Sequence, residues 1–228
     1  GHHFGVALLA ALAGCVTPAT PDPKEVAAAI QKSNAAADLL FQRLSGELAS
    51  ALTNGGPAAA VAICKNRAPA IAAEIETASG VDIERTALRV RSPANAPDDW
   101  EMATMRSFIA RRDAGEEWAK MSATRIEGRE LNWMRPIPLG EMCATCHGDI
   151  ASFTRETRLA LGEAYPDDQA IGFKPGELRG AFTARLTSYA CSSRSGRGAS
   201  NACSVPRSLS VGSSQRNWLA WGRMTGMR

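Results

Sequence analysis

The sequence predicts an α+β fold, and three observations support this class. Residues from Lys24 to Ser79 are rich in alanine, with apolar residues at helical spacing. The segment 81–92, "VDIERTALRVRS", instead alternates apolar and polar residues, as a strand does. A strand hairpin around 123–140 and a final strand at Gly180–Leu186 follow. The chain is therefore expected to begin with helices and to continue as a sheet.

The first helical segment is predicted to form a hairpin of two antiparallel helices. "NGGP" at 54–57 interrupts the pattern, because glycine is flexible and proline lacks the N–H of a helical hydrogen bond. Pro69 is expected to kink or end the first part of the second helix. Two later helices are predicted at Trp100–Arg112, capped by Asp98 or Asp99, and at Thr154–Glu163.

The N-terminal residues predict export. "FGVALLAALAG" at 4–14 is a short apolar segment that ends in small residues. Leu12-Ala13-Gly14-Cys15 resembles a bacterial lipobox, in which the peptide is cut before the cysteine and the cysteine is acylated. We therefore expect a lipoprotein signal peptide at 1–14 and a lipidated Cys15 that anchors the protein in the periplasm, on the outer or inner membrane. The alternative is an apolar helix with an incidental cysteine.

Two segments differ in composition from the predicted domain. Residues 15–23 are rich in proline and threonine and are expected to be a linker. Residues 190–228 contain six arginines and no acid, so the remaining chain has 20 basic and 23 acidic residues. That slightly acidic balance gives no case for a nucleic-acid partner. The Ser/Gly/Arg-rich tail is expected to be disordered, and the alternative is a basic tail that binds anionic lipid or nucleic acid.

The stretch "EMCATCHGD" at 141–149 contains the motif with the most specific chemistry. Cys143 and Cys146 are spaced so that their thiols can add to the two vinyl groups of one haem, and His147 then lies under the iron. A redox dithiol would not use the histidine. A structural zinc site needs four ligands. The motif therefore predicts one covalently bound haem c, with the dithiol and the zinc site as alternatives.

The ligand on the other face of the iron is not decided by the residues themselves. The other histidines, His2 and His3, fall in the predicted signal peptide. A methionine, a cysteine, a lysine or an open site remain possible. Cys64 lies in the second predicted helix, where a free cysteine is commonly a small buried hydrophobe, or could form a disulfide with Cys191 or Cys203. The methionines upstream of the motif are more typical of core packing; they are Met102, Met105, Met121, Met134 and Met142.

Four motifs in order resemble a family of bacterial exported single-haem domains of unknown function. They are "AAAVAICKNRAP", "RTALRVRSPANAPDDWE", "RPIPLGEMCATCHGD" and "YPDDQAIGFKPGELRGAF". A cyanobacterial member of that family has a PAS-like fold, and related domains form the sensory part of some histidine kinases. The resemblance implies a PAS-like antiparallel sheet with a covalently bound haem over residues 24–189. Ser92 departs from the asparagine that the family commonly has at this position.

The resemblance also implies a set of site residues. In that family the haem is ligated by the histidine of the motif and by an upstream cysteine thiolate, which corresponds to Cys64. The metal ligands are therefore expected to be His147 and Cys64. Arginines within the matching motifs are candidates to bind the haem propionates, with exposure to solvent as the alternative; they are Arg89, Arg91, Arg135 and Arg179.

The expected function follows from a haem with a thiolate ligand. A thiolate stabilises Fe(III) and lowers the reduction potential, which suits electron transfer or redox sensing with a periplasmic redox or signalling partner. The alternative is a sensor of NO or CO that acts through a separate signalling protein. An enzyme is less expected, because the predicted mature chain has no second histidine for acid–base chemistry.

Overall fold

The computed structural model describes residues 22–187, and its first part is the predicted helical hairpin. Helix α1 spans Pro23–Ala62, a π-helical turn spans Ile63–Arg67, and α2 spans Ala68–Ser79. Gly56 interrupts α1 with a φ of 67°, just before Pro57, so the chain reverses at the predicted "NGGP" break. Pro69 is the second residue of α2, and Arg67 and Ala68 before it are already helical, so the second helix does not end there.

Ion pairs between the two arms demonstrate that the hairpin is antiparallel. Arg43 in α1 pairs with Glu74 in α2. Closer to the turn, Arg67 makes two hydrogen bonds of 2.9 Å to the carboxylate of Glu47. These contacts hold the π-helical turn against the middle of α1.

Four antiparallel strands form the sheet. They are β1 at Asp82–Thr86, β2 at Ala123–Glu127, β3 at Glu130–Pro138 and β4 at Leu178–Thr187, in the spatial order β1-β4-β3-β2. β2 and β3 form the predicted hairpin, whereas β4 comes from the end of the domain and inserts between β1 and β3.

The strand predicted over 81–92 is shorter than expected, because β1 ends at Thr86. The next backbone N–H, that of Ala87, donates to the carbonyl of Asn95 at 3.2 Å instead of a strand. Pro93 then begins a short 3-10 turn that ends at Asn95. The alternating pattern of residues 87–92 therefore belongs to a loop folded back on β1.

Three more helices follow the hairpin, and two of them begin at a residue whose side chain caps the helix. α3 spans Asp99–Asp113 and is capped by Asp98, whose carboxylate and that of Glu101 form a reciprocal capping box. α4 spans Glu141–His147 and α5 spans Arg155–Ala164, capped by Thr154. The two predicted helices are thus confirmed within one or two residues.

The sheet is covered on both faces. On one face the hairpin packs against strand side chains that include Ile83, Trp133 and Phe182. On the other face α3 packs through Met105 and Phe108. Met121 and Met134 belong to this second cluster and are almost fully buried there. The α+β fold class is confirmed.

Three predicted segments lie outside the described residues: the signal peptide at 1–14, nearly all of the linker at 15–21, and the tail at 190–228. Cys15, Cys191 and Cys203 therefore lie outside them too. Within residues 22–187, none of the helices combines the length and the apolar character needed to span a bilayer.

Candidate functional site

The cysteine–histidine motif forms the short helix α4. Gly140 precedes it and Gly148 ends it. A Cβ atom on Gly148 would lie 2.6 Å from the carbonyl oxygen of Ala144, so this position needs a glycine. Cys143 packs against the cluster that contains Leu139 and Phe173. Cys146 packs against a second cluster, which contains Val61 of the hairpin and Leu161 of α5. Both thiols are free.

A cavity of about 590 Å³ lies between α4, the hairpin and the sheet. This volume is within the range of small-molecule and cofactor sites, roughly 300–1,000 Å³. The hairpin provides an apolar wall that includes Phe41, Leu44, Leu48, Leu52 and Val61. The cysteines and histidine of the motif also line the cavity, from α4.

Cys64 lines the same cavity from the hairpin side. It lies in the π-helical turn Ile63–Arg67 and is half-buried, with a free thiol. One extra residue per turn widens a helix locally, and such turns are frequent at functional sites. The structure therefore brings Cys64 to one cavity with Cys143, Cys146 and His147, although about 80 positions separate them in sequence.

His147 is held in a defined tautomer. Its Nδ1 lies 2.7 Å from the carbonyl oxygen of Ala170, and a carbonyl only accepts, so Nδ1 carries the proton. The Nε of Arg179 lies 3.2 Å from the same nitrogen and cannot donate to it in this tautomer. Nε2 is therefore the unprotonated nitrogen, and its lone pair is the one that could bind a metal.

The imidazole is also kept neutral. Burial lowers the pKa of His147 well below its ordinary value, and the positive charges of Arg179 and Arg91 lower that pKa further. Burial likewise raises the pKa of the Cys143 and Cys146 thiols. The motif thus presents two neutral thiols and a neutral imidazole to the cavity.

Arg91 connects the end of α4 to the loop that follows α5. Its guanidinium forms an ion pair with Asp168 at 2.9 Å, and only 8% and 11% of the two side chains is exposed. The same group donates to the carbonyls of Cys146 and Ala170, and its Nη1 lies 3.5 Å from Nε2 of His147. This predicted site residue therefore lines the cavity and positions the histidine.

The other three predicted arginines lie in different surroundings. Arg179 lines the cavity, and burial followed by the charges of Arg91 and Arg85 lowers its pKa to about 10. Arg89 stacks on the ring of Phe173 at 3.5 Å, away from the cavity wall. Arg135 also lies off that wall and pairs with Asp38 of α1 at 2.7 Å.

Sequence reasoning missed Arg85, which lines the cavity from β1. Its position two residues after the buried Ile83 was the available signal, because residues i and i+2 of a strand share a face. Burial lowers the pKa of Arg85, whereas its electrostatic interaction with Cys64 acts in the opposite direction. The cavity lining within residues 22–187 contains arginine and lysine but no aspartate or glutamate.

The methionines and the aromatic residues each separate into those that line the cavity and those that pack elsewhere. Met142 lines the cavity from α4, whereas Met105, Met121 and Met134 pack on the opposite face of the sheet. Among the described aromatic residues, Phe41, Tyr165 and Phe182 line the cavity, whereas Trp133 is fully buried in the core.

The fold and the site together define an α+β protein in which a helical hairpin and an antiparallel sheet enclose a cavity with thiols and a histidine on its wall. The chain belongs to the Tll0287-like family, whose model matches residues 22–187. This confirms the resemblance drawn from the four motifs.

Among solved structures, the chain is similar to the crystal structure of the cyanobacterial heme-protein Tll0287. The two share 21% identity, the match covers 73% of this chain and 97% of that chain, and the TM-score is 0.51. At this identity the similarity concerns the fold. A comparison with curated proteins finds no match.

Proposed function

We propose that this protein binds one haem c in the cavity, attached through Cys143 and Cys146 and ligated by Nε2 of His147. One observation carries the proposal: a neutral imidazole with an unprotonated Nε2 stands beside two free thiols on the wall of a cofactor-sized cavity. The residues present fit the group, because the lining is mainly apolar and its charged side chains are cationic, as two propionates require.

We further propose Cys64 as the second ligand of the iron. It is the described thiol that reaches the cavity from the hairpin, whereas the other two belong to α4. Lys65 also lines the cavity, but its Nζ is 3.2 Å from the carbonyl oxygen of Ala164 and lies over the ring of Tyr165. Met142 belongs to the same short helix as His147 and therefore does not approach from the opposite side.

The proposed role is low-potential electron transfer or redox sensing. A haem with a thiolate ligand supplies a one-electron couple of low potential. The chain's own residues exclude water through the apolar hairpin wall, and Arg91 and Ala170 fix the histidine. Arg179 and Arg91 are the proposed propionate partners, because both line the cavity, whereas Arg89 and Arg135 do not.

The proposed setting is the periplasm, with a lipid anchor at Cys15. The apolar segment and the lipobox-like sequence support it. The expected partners are the membrane and a separate redox or signalling protein. Labelling with a lipid precursor tests the anchor: wild-type protein should incorporate it and Cys15→Ala should not.

Spectroscopy tests haem attachment and both ligands. The purified holoprotein should give a c-type pyridine haemochrome, and Cys143→Ala with Cys146→Ala should abolish it. A low-spin thiolate EPR signal is expected in the oxidised protein. Cys64→Ala and the isosteric Cys64→Ser should remove that signal, whereas Met142→Leu should leave it unchanged. Absence of covalent haem in the wild type would overturn the proposal.

Carbon monoxide separates the two candidate roles. A simple electron carrier should retain Cys64 on the reduced iron and bind CO poorly. Ready binding of CO to the ferrous protein would instead favour the gas-sensing alternative.

A further inference from the structure

The carboxylate of Asp168 makes two sets of contacts that meet at one backbone residue. Its Oδ1 accepts a hydrogen bond of 2.8 Å from the N–H of Ala170. Its Oδ2 pairs with Arg91 at 2.9 Å, and Arg91 in turn donates to the carbonyl oxygen of Ala170 at 3.2 Å. One largely buried carboxylate thereby holds both the N–H and the C=O of Ala170.

The carbonyl oxygen of Ala170 is also the acceptor for His147. Nδ1 of His147 lies 2.7 Å from this oxygen. His147 belongs to α4, whereas Ala170 lies in the loop between α5 and β4. The direction of the Ala170 carbonyl therefore sets the direction of the imidazole N–H, and the rigid ring transmits that direction to Nε2.

The loop has no regular secondary structure that could orient this carbonyl, since residues 165–177 contain neither helix nor strand. On either side of Ala170 the loop is tied to other segments by its backbone. The N–H of Gln169 donates to the carbonyl of Val90 at 3.0 Å, and that of Gly172 to the carbonyl of Gly148 at 2.7 Å. The N–H of Ala170 instead donates to a side chain, as aspartate two residues earlier commonly allows. Replacing that side chain therefore leaves the neighbouring backbone bonds in place.

We propose that Asp168 is a positioning residue for His147: its carboxylate orients the Ala170 carbonyl, which holds the imidazole for ligation through Nε2. This inference rests on the proposed function, because it concerns a histidine that binds iron. A hydrogen bond from Nδ1–H to a fixed acceptor makes an imidazole a stronger electron donor to a metal. A stronger donor favours Fe(III), so Asp168 acts on the reduction potential through Ala170 and His147.

Two double variants of equal charge test the proposal. Arg91→Gln with Asp168→Asn and Arg91→Gln with Asp168→Ala both lack the buried ion pair, but only asparagine retains a side-chain oxygen that can accept from the N–H of Ala170. Solvent exchange of the His147 Nδ1–H is measured by NMR on reduced holoprotein with ¹⁵N-labelled histidine. Exchange should be about tenfold faster in the alanine variant, a factor that corresponds to one ordinary hydrogen bond. The alanine variant should also have the higher reduction potential, because its histidine is the weaker donor.

The neighbouring carboxylate provides the matched control. Asp167 is exposed and has neither an ion pair nor a hydrogen bond within residues 22–187. Asp167→Asn removes the same charge one position away and should retain the exchange rate of the wild type. Equal exchange rates in the two double variants would limit Asp168 to an effect of its charge and overturn the proposal.

The same samples distinguish this failure from a failure of the proposed function. If the wild type gives no c-type pyridine haemochrome, haem attachment is wrong and the role of Asp168 is overturned with it. If covalent haem is present and the two double variants exchange equally, only the role of Asp168 is wrong. Circular dichroism verifies that each variant is folded. If the double variants do not fold, Asp168→Asn and Asp168→Ala in the wild-type background give the same comparison, since they too are equal in charge.

Discussion

At the residue scale, Arg91 makes two kinds of contact. It forms an ion pair with Asp168, and it donates hydrogen bonds to the carbonyl oxygens of Cys146 and Ala170. The backbone N–H of Phe173 also donates to the carbonyl of His147 at 3.0 Å. Hydrogen bonds therefore connect the loop after α5 to the end of α4. The orientation of His147 depends on this loop as well as on α4.

Arg91→Gln should destabilise the fold by about 3–5 kcal/mol, because it leaves Asp168 buried with an unpaired charge. Chemical denaturation of the holoprotein measures the change. The double variant Arg91→Gln with Asp168→Asn removes both charges and should recover a large part of the loss. Equal stabilities of Arg91→Gln and the wild type would contradict the role of the pair.

Gly180 marks a close approach of β4 to β1. A Cβ atom there would lie 2.4 Å from the carbonyl oxygen of Thr86. Gly180→Ala should therefore cost about 1–3 kcal/mol in the free energy of unfolding, through overpacking. Gly162→Ala is the matched control, because α5 leaves open space at that position. The control should be neutral or gain up to about 1 kcal/mol from the helix propensity of alanine.

Individual site residues were predictable to different degrees. Cys143, Cys146 and His147 could be found because their chemistry depends on local spacing. The partner of Arg91 could not be predicted, because Asp168 is 77 positions away and no local pattern joins the two. Arg85 lay between these cases, since strand alternation indicated its face but the sequence gave no sign of a cavity there.

At the scale of elements, the π-helical turn that carries Cys64 is held by charged groups on both arms of the hairpin. Arg67 within the turn binds Glu47 of α1 and also lies 3.5 Å from Glu74 of α2. Hydrogen bonds from Arg67 and from Arg43 are the largest causes that lower the pKa of Glu47 and of Glu74, respectively, below 4.5.

These carboxylates predict a loss of stability in acid. Because their pKa values are lowered in the folded protein, their contribution is present above about pH 4.5 and decreases as the pH falls through the folded values. As the pH is lowered through this range, the denaturation midpoint of Glu47→Gln should decrease less steeply than that of the wild type. Glu163→Gln, an exposed carboxylate of α5 without an ion pair among residues 22–187, should retain the wild-type slope.

The local elements were the predictable part of the fold. The hairpin break at Gly56 and the β2–β3 hairpin depend on residues that are neighbours in sequence. The end of β1 at Thr86 was not predicted, because it depends on a hydrogen bond to Asn95 in a loop. The insertion of β4 between β1 and β3 likewise joins distant segments, which periodicity cannot identify.

At the scale of the whole molecule, the cavity is where the hairpin, the sheet and α4 meet. If haem is attached there as proposed, a variant that cannot attach it should lose contacts in all three. We expect Cys143→Ala with Cys146→Ala to lower Tm by roughly 5–10 °C, measured by calorimetry. Cys64→Ala should retain covalent haem, and its Tm should lie between those of the double variant and the wild type. A haem-free variant as stable as the holoprotein would contradict this prediction.

The π-helical turn has a consequence for the topology of the chain. Ligation of one iron by Cys64 and His147 would close a loop of 83 residues, in the manner of a disulfide. A cross-link of that length restricts the unfolded chain by roughly 4–5 kcal/mol. Unlike a disulfide, this link would open whenever the thiolate left the iron, and it would then release the hairpin from α4. The presence or absence of that one bond would thereby set how firmly the two halves of the domain are tied together.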